Sequence, residues 1–192
     1  MIPPLETPQL SLRPLNPTDF ADYYEYAQDP LVSGPGMWVP YPSEAAARED
    51  FERVLSHYSS GLMWWALEHR LTGKMIGRCQ LAAYDPDDAH AELSYALHSR
   101  FWGQGLMTEA ARAVLRYGFE ELKLNRVSAQ VFTDNIGSIR LLEKLGMHVE
   151  SLAPKSYWCR GAWDDNLVYA MSDAEWRASG NRHIQGFPRS LG

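Results

Sequence analysis

The chain has 192 residues, 45% of them hydrophobic, 12% aromatic and 22% charged, a globular composition that excludes disorder as the main state and, at roughly 150 residues per domain, excludes two full domains. Against 18 Lys and Arg stand 24 Asp and Glu, a net charge of -6, so no global positive field gathers nucleic acid or anionic lipid. Neither nucleic acid nor a membrane is expected as a partner, and a neutral or cationic substrate fits better.

The opening MIPPLETPQLSLRPL has no basic segment ahead of an apolar core, which predicts no signal peptide, and no run of about 18 apolar residues predicts a membrane span. Cys79 and Cys159 are too few for a disulfide framework and lack metal-ligand spacing, the pattern of reduced thiols in a soluble, cytoplasmic protein.

Alternation from Leu10 to Leu15 predicts a strand, and Thr18 is expected to cap a helix, DFADYYEYA, that ends before Pro30. Leu31 to Pro42 is loop chemistry, with Met37, Trp38 and Tyr41 placed to line a pocket or to cover the core. Ser43 should cap a second helix, EAAAREDFERVLSHY, ahead of three strands, 63–69, 74–84 and 90–97, in an antiparallel meander. A helix follows over 108–121, then a strand over 126–132, a helix over 136–145 stopped by Gly146, a strand over 147–152, a polar loop and a last strand over 166–171. Residues 1–172 thus read as one α/β domain, with 173–192 a short helical turn and a loosely held tail.

Between a strand and a strong helix, Gly103 and Gly105 suit an anion site: glycines let backbone amides face a ligand, and the helix N-terminus adds partial positive charge. A dinucleotide fingerprint would place a third glycine at position 108, where Thr108 stands, and no Gly-Lys-Ser/Thr of a phosphate-binding Walker loop occurs. Arg100-x-x-Gly103-x-Gly105 followed by Thr-Glu-Ala resembles motif A of the GNAT acyltransferases, and Asn135-x-x-Ser138 followed by LLEKLGM is similar to their motif B. The spellings WGQG, AELSYAL, LETPQLSLRPL and GAWDDNLVYAM resemble the RimJ/RimL-type branch, over about Leu5 to Met171.

That resemblance implies a largely antiparallel sheet of six or seven strands, opening in a V between the fourth (90–97) and fifth (126–132), with about four flanking helices. It implies acetyl-CoA as cosubstrate and N-acetylation of a small-molecule amine or protein N-terminus by direct transfer in a ternary complex; dimers are common in such families. Arg100, Gly103, Gln104, Gly105, Leu106, Met107 and Thr108 would meet the pyrophosphate, and a backbone amide near Leu97 the oxyanion. Asn135 would contact the pantetheine arm or simply cap its helix, Ser138 would hold the thiol, and Arg140 would reach the 3′-phosphate or pair with Glu143 or solvent.

An alkylamine needs a base at neutral pH, and Glu92 is the candidate, since alternation puts His90, Glu92, Ser94 and Ala96 on one face and Ala91, Leu93, Tyr95 and Leu97 on the other. The plainer reading of Glu92 is a surface or ion-paired residue. No metal is expected: His90 and His98 lie eight strand residues apart, roughly 26 Å. The tyrosine that many GNAT enzymes use as general acid is replaced by Leu142, leaving Ser138, water or a residue that the sequence does not reveal to protonate the thiolate. Trp163 and Asp164 would help close the acceptor pocket or form a turn beside a core tryptophan. A rival reading is a non-catalytic acyl-CoA-binding or interaction module, for which Leu142 is the best argument.

Overall fold

The computed structural model describes residues 2–33, 39–58, 63–159 and 161–180. Their strands are β1 (Leu5–Glu6), β2 (Leu10–Arg13), β3 (Met63–His69), β4 (Met75–Asp85), β5 (His90–Leu97), β6 (Arg126–Phe132), β7 (His148–Cys159) and β8 (Ala162–Ser172). The helices are α1 (Phe20–Ala27), α2 (Pro30–Ser33), α3 (Glu44–His57), α4 (Leu106–Arg116), α5 (Ile136–Leu145) and α6 (Asp173–Ala178). None of the described helices is long and apolar enough to cross a membrane.

One sheet of eight strands forms, in the order β1-β2-β3-β4-β5-β6-β8-β7. Every neighbouring pair is antiparallel except β5 and β6, which run parallel because α4 carries the chain back between them. The sheet exceeds the expected six or seven strands by the short β1, which pairs with β2 through Leu5 and Leu12. The segment after Leu152 is not a polar loop: β7 and β8 continue as one hairpin to Cys159 and Ala162. Phe132 at the end of β6 faces Asn166, so the outer part of this hairpin overhangs the sheet.

Alternation along the strands divides the core in two. Leu81, Ala91, Leu93 and Leu97 face α4 and α5, which bury Leu106, Ala110, Val114, Leu142 and Leu145 there; each fully buried leucine or valine contributes about 1.5–3 kcal/mol. Trp64, Ala66, Met75 and Ala96 face the other way, against Phe20, Tyr23 and Tyr26 of α1 and Phe51 of α3.

Helix boundaries follow local chemistry. Ser43 Oγ accepts from the Ala46 amide at the start of α3, and Gly146 ends α5 with φ 87°. Thr18 does not cap α1; Asn16 instead caps a single 3₁₀ turn, Pro17–Asp19, that leads into it. The helix expected to begin at Thr108 begins at Leu106, and its last residues, Tyr117–Glu121, widen into a π turn.

Candidate functional site

Pairing between β5 and β6 covers only His90 to Glu92 against Arg126 to Ser128, and beyond it the strands splay. The His98 amide donates to the Ile76 carbonyl at 2.8 Å, so the main chain of His98 faces β4. By the alternation of an antiparallel ladder, the amides of Leu97 and Tyr95 face the splay. The Leu97 carbonyl accepts from Trp102 Nε1 at 2.7 Å. A cavity of about 970 Å³ fills the splay and is lined from both faces of the sheet.

On the α4 face, Gly103 and Gly105 adopt φ 75° and 80°, a backbone region that side chains rarely occupy, and a Cβ on either would meet nothing within 4 Å. Gly105 is the N-cap of α4 and brings no side chain to cap it. The first-turn amides of Leu106, Met107 and Thr108 therefore keep their donor capacity beside the cavity, at the positive end of the helix dipole. Those residues, with Gly103 and Gly105, line the cavity and fit an anionic group such as a pyrophosphate. Two residues expected with them do not line it. Arg100 is exposed and its Nη1 bonds Glu25 of α1 at 3.1 Å, while Gln104 is exposed and donates to the Arg100 carbonyl.

Across the cavity, Asn135 caps α5, its Oδ1 accepting from the Ser138 amide at 3.1 Å. Asn135, Ser138, Arg140 and Lys144 all line the cavity. Leu142 is fully buried in the core. Sequence reasoning missed Tyr95: its hydroxyl lies 2.5 Å from Ser138 Oγ. Burial pushes its phenol well above the ordinary range, with the Ser138 hydrogen bond acting the other way.

Glu92 stands on the opposite parity of β5 and is half-buried in the cavity wall, with Gln130 Nε2 3.4 Å from its Oε2. The same wall holds a cluster of hydroxyls on one carboxylate. Asp50 Oδ2 accepts from Tyr41 at 2.5 Å and from Tyr23 at 2.9 Å, and Arg53 pairs with the other oxygen. Arg78 hydrogen-bonds the buried Tyr26 hydroxyl, whose pKa burial raises. Arg53, Arg78 and His57 join Asp50 and Glu92 around the cavity, so the wall carries both signs of charge.

Met37 and Trp38 lie outside the described residues. Trp163 and Asp164 do not line the cavity, because the overhanging hairpin carries them outward; Trp163 is 56% exposed and packs edge-on against Trp158. Among the described residues no group of three His, Cys, Asp or Glu could hold a metal ion. His90 Nε2 accepts from Arg126 Nη1 at 3.1 Å, and buried His98 sits between Glu25 and Asp29. Burial opposes ionisation of both acids, but their hydrogen bonds and the neighbouring positive charge win and hold them below the usual range.

The carboxylates of Glu92 and Asp50, the Ser138 hydroxyl and a row of main-chain donors thus converge on a cavity whose far end suits an anion. Residues 9–148 match the family description "Acetyltransferase (GNAT) domain". The chain is 46% identical to "Probable N-acetyltransferase YjcK" of Bacillus subtilis over 42% of its own length and 45% of that protein, so the match spans less than half of that relative. It is 27% identical to the "[Ribosomal protein uS5]-alanine N-acetyltransferase" of Escherichia coli, over 90% of this chain and 92% of that protein. The solved structure of a GNAT-family acetyltransferase from Bacillus anthracis superposes with a TM-score of 0.80 at 23% identity, covering 90% of this chain and 99% of that one, and shares the fold.

Proposed function

This chain belongs to the GNAT acetyltransferase family and is an acyltransferase; from that premise we propose that it transfers an acetyl group from acetyl-CoA to a primary amine directly, with both substrates bound. The observation that carries the proposal is the splay of β5 from β6, which gives residues of both sheet faces access to one cavity.

In this reading the amides at the start of α4 hold the pyrophosphate, and Asn135 and Ser138 hold the pantetheine end. The thioester supplies an activated acyl carbon. Glu92 takes the proton of the attacking amine, directly or through one water. The Leu97 amide donates to the developing oxyanion, a contact that strengthens as charge builds up in a site shielded from water. Ser138 serves the departing sulfur. The two signs of charge on the acceptor wall favour an amine whose substituents carry polar or anionic groups, such as a peptide N-terminus, over a bare polycation.

A thermal-unfolding titration with acetyl-CoA, CoA and NAD tests the reading, because a ligand that binds only the folded state raises its stability with concentration. Stabilisation by acetyl-CoA and CoA but not NAD is expected, followed by thiol release on addition of short peptides with free N-termini. Stabilisation without release by any amine would favour a non-catalytic acyl-CoA-binding module. No shift with CoA would overturn both.

A further inference from the structure

We propose that Tyr95 is a positioning residue for the leaving thiol: it holds Ser138 by donating to its Oγ, so that the serine's own proton is aimed into the cavity at the sulfur. The inference rests on the acetyl-transfer reading above and deepens it at the leaving-group end.

The two hydroxyls lie 2.5 Å apart, and both residues line the cavity. Each carries one proton and two lone pairs. A phenol is a stronger acid than an alkyl hydroxyl, so tyrosine is the donor of the pair. Once Ser138 Oγ accepts from Tyr95, its own proton must point elsewhere, and Ser138 lines the cavity that it can reach. The serine cannot drift, because its amide is fixed to Asn135 Oδ1 at 3.1 Å in the cap of α5. Tyr95 cannot drift either. It sits in β5 opposite Cys79 of β4 and packs against the apolar core on the α4 side. Burial keeps its phenol protonated at physiological pH.

The step balances without net transfer through the pair. The nitrogen–carbon bond forms and the carbon–sulfur bond breaks, with the electron pair passing to sulfur. The amine proton goes to Glu92 and on to solvent, and the departing thiolate leaves hydrogen-bonded to Ser138 and takes its final proton from water. Leu142, buried in the core on the same helix, has no proton to offer, so this pair is where help for the thiolate can come from.

The test needs no acceptor. The ionisation of the thiol of bound CoA is followed by the ultraviolet absorbance of its thiolate as pH is raised, in the intact protein and in Tyr95→Phe, Ser138→Ala and the double variant. Bound CoA should ionise at lower pH than free CoA in the parent protein. Tyr95→Phe should move that ionisation upward by about one pH unit while leaving CoA affinity below it within about twofold. Ser138→Ala should move it at least as far, and adding Tyr95→Phe to Ser138→Ala should move it no further. An unchanged titration in Tyr95→Phe, or shifts that simply add in the double variant, would overturn the proposal. Ser138→Ala, which deletes a single half-exposed oxygen, keeps the question open to an answer if the tyrosine variant fails to fold: no shift there also overturns it. Failure of the parent protein to bind CoA would overturn the acetyl-transfer reading itself, a result distinct from either.

Discussion

Gly77 of β4 and Ala96 of β5 approach so closely that a Cβ on the glycine would lie 2.2 Å from the Ala96 carbonyl oxygen and 2.9 Å from the Leu97 Cα. No side chain absorbs that clash, since both atoms are backbone. Gly77→Ala must therefore push β5 away at the residue whose amide faces the splay. Forced overpacking of this kind costs about 1–3 kcal/mol. Chemical denaturation should show that loss, and turnover should fall more than acetyl-CoA affinity, because the displaced amide is the proposed donor to the charge that develops on the thioester oxygen.

Glu92→Gln removes the proposed base while keeping the side chain's shape and its contact with Gln130. Turnover on a responsive amine is expected to drop by about 10²-fold at neutral pH, with acetyl-CoA affinity within about twofold in a calorimetric titration. Weaker cofactor binding with unchanged turnover would show that Glu92 is not the base.

Leu142→Tyr writes the tyrosine of many related enzymes back into α5. The side chain there is fully buried among core residues, so a larger, polar-tipped ring has no place to go. The variant should lose about 1–3 kcal/mol of stability and gain no activity. A rise in turnover would mean that this helix position still reaches the sulfur.

Tyr23, Tyr26, Tyr58 and Tyr95 all have burial as the largest cause of a raised pKa, Tyr58 reaching about 12 against an ordinary 10.0. A folded-state pKa above the unfolded one gives stability that is complete below the unfolded value and is lost as pH rises past it. Stability should therefore hold level up to about pH 10 and then fall, by about 1.4 kcal/mol per pH unit for each tyrosine that stays protonated only in the fold. Urea midpoints measured from pH 8 to 11 check this, and Tyr95→Phe should flatten the decline.

Much of this architecture was legible in residues that act locally. Alternation set β5 at His90–Leu97 and gave Glu92 and Leu97 their opposite faces, and Asn135 and Gly146 marked the ends of α5. The rest depends on partners distant in the chain. The stretch from Ala153 to Asp165 reads as a polar loop until its two halves pair, which register across the hairpin decides. Arg100 stands in the stretch that resembles motif A, yet its guanidinium bonds Glu25, 75 residues away. Tyr95 falls on the face of β5 opposite Glu92, with Ala91, Leu93 and Leu97; its hydroxyl is the available hint, and only the docking of α5 supplies the partner.

The splay between β5 and β6 has a consequence for how this sheet survives in solution. A strand with open hydrogen-bonding groups normally sits at the rim of a sheet, where it invites pairing with other chains. Here such a rim, carrying the Tyr95 and Leu97 amides, lies between strands that are neighbours in the sheet order. Residues of α4 and α5 line the cavity beside it, and under the proposed function the slender, amide-bearing arm of the cosubstrate would take the place of a strand there. The protein thus keeps a docking edge without exposing one, and its central amides should exchange with solvent as readily as those of an outer strand until a ligand closes the gap.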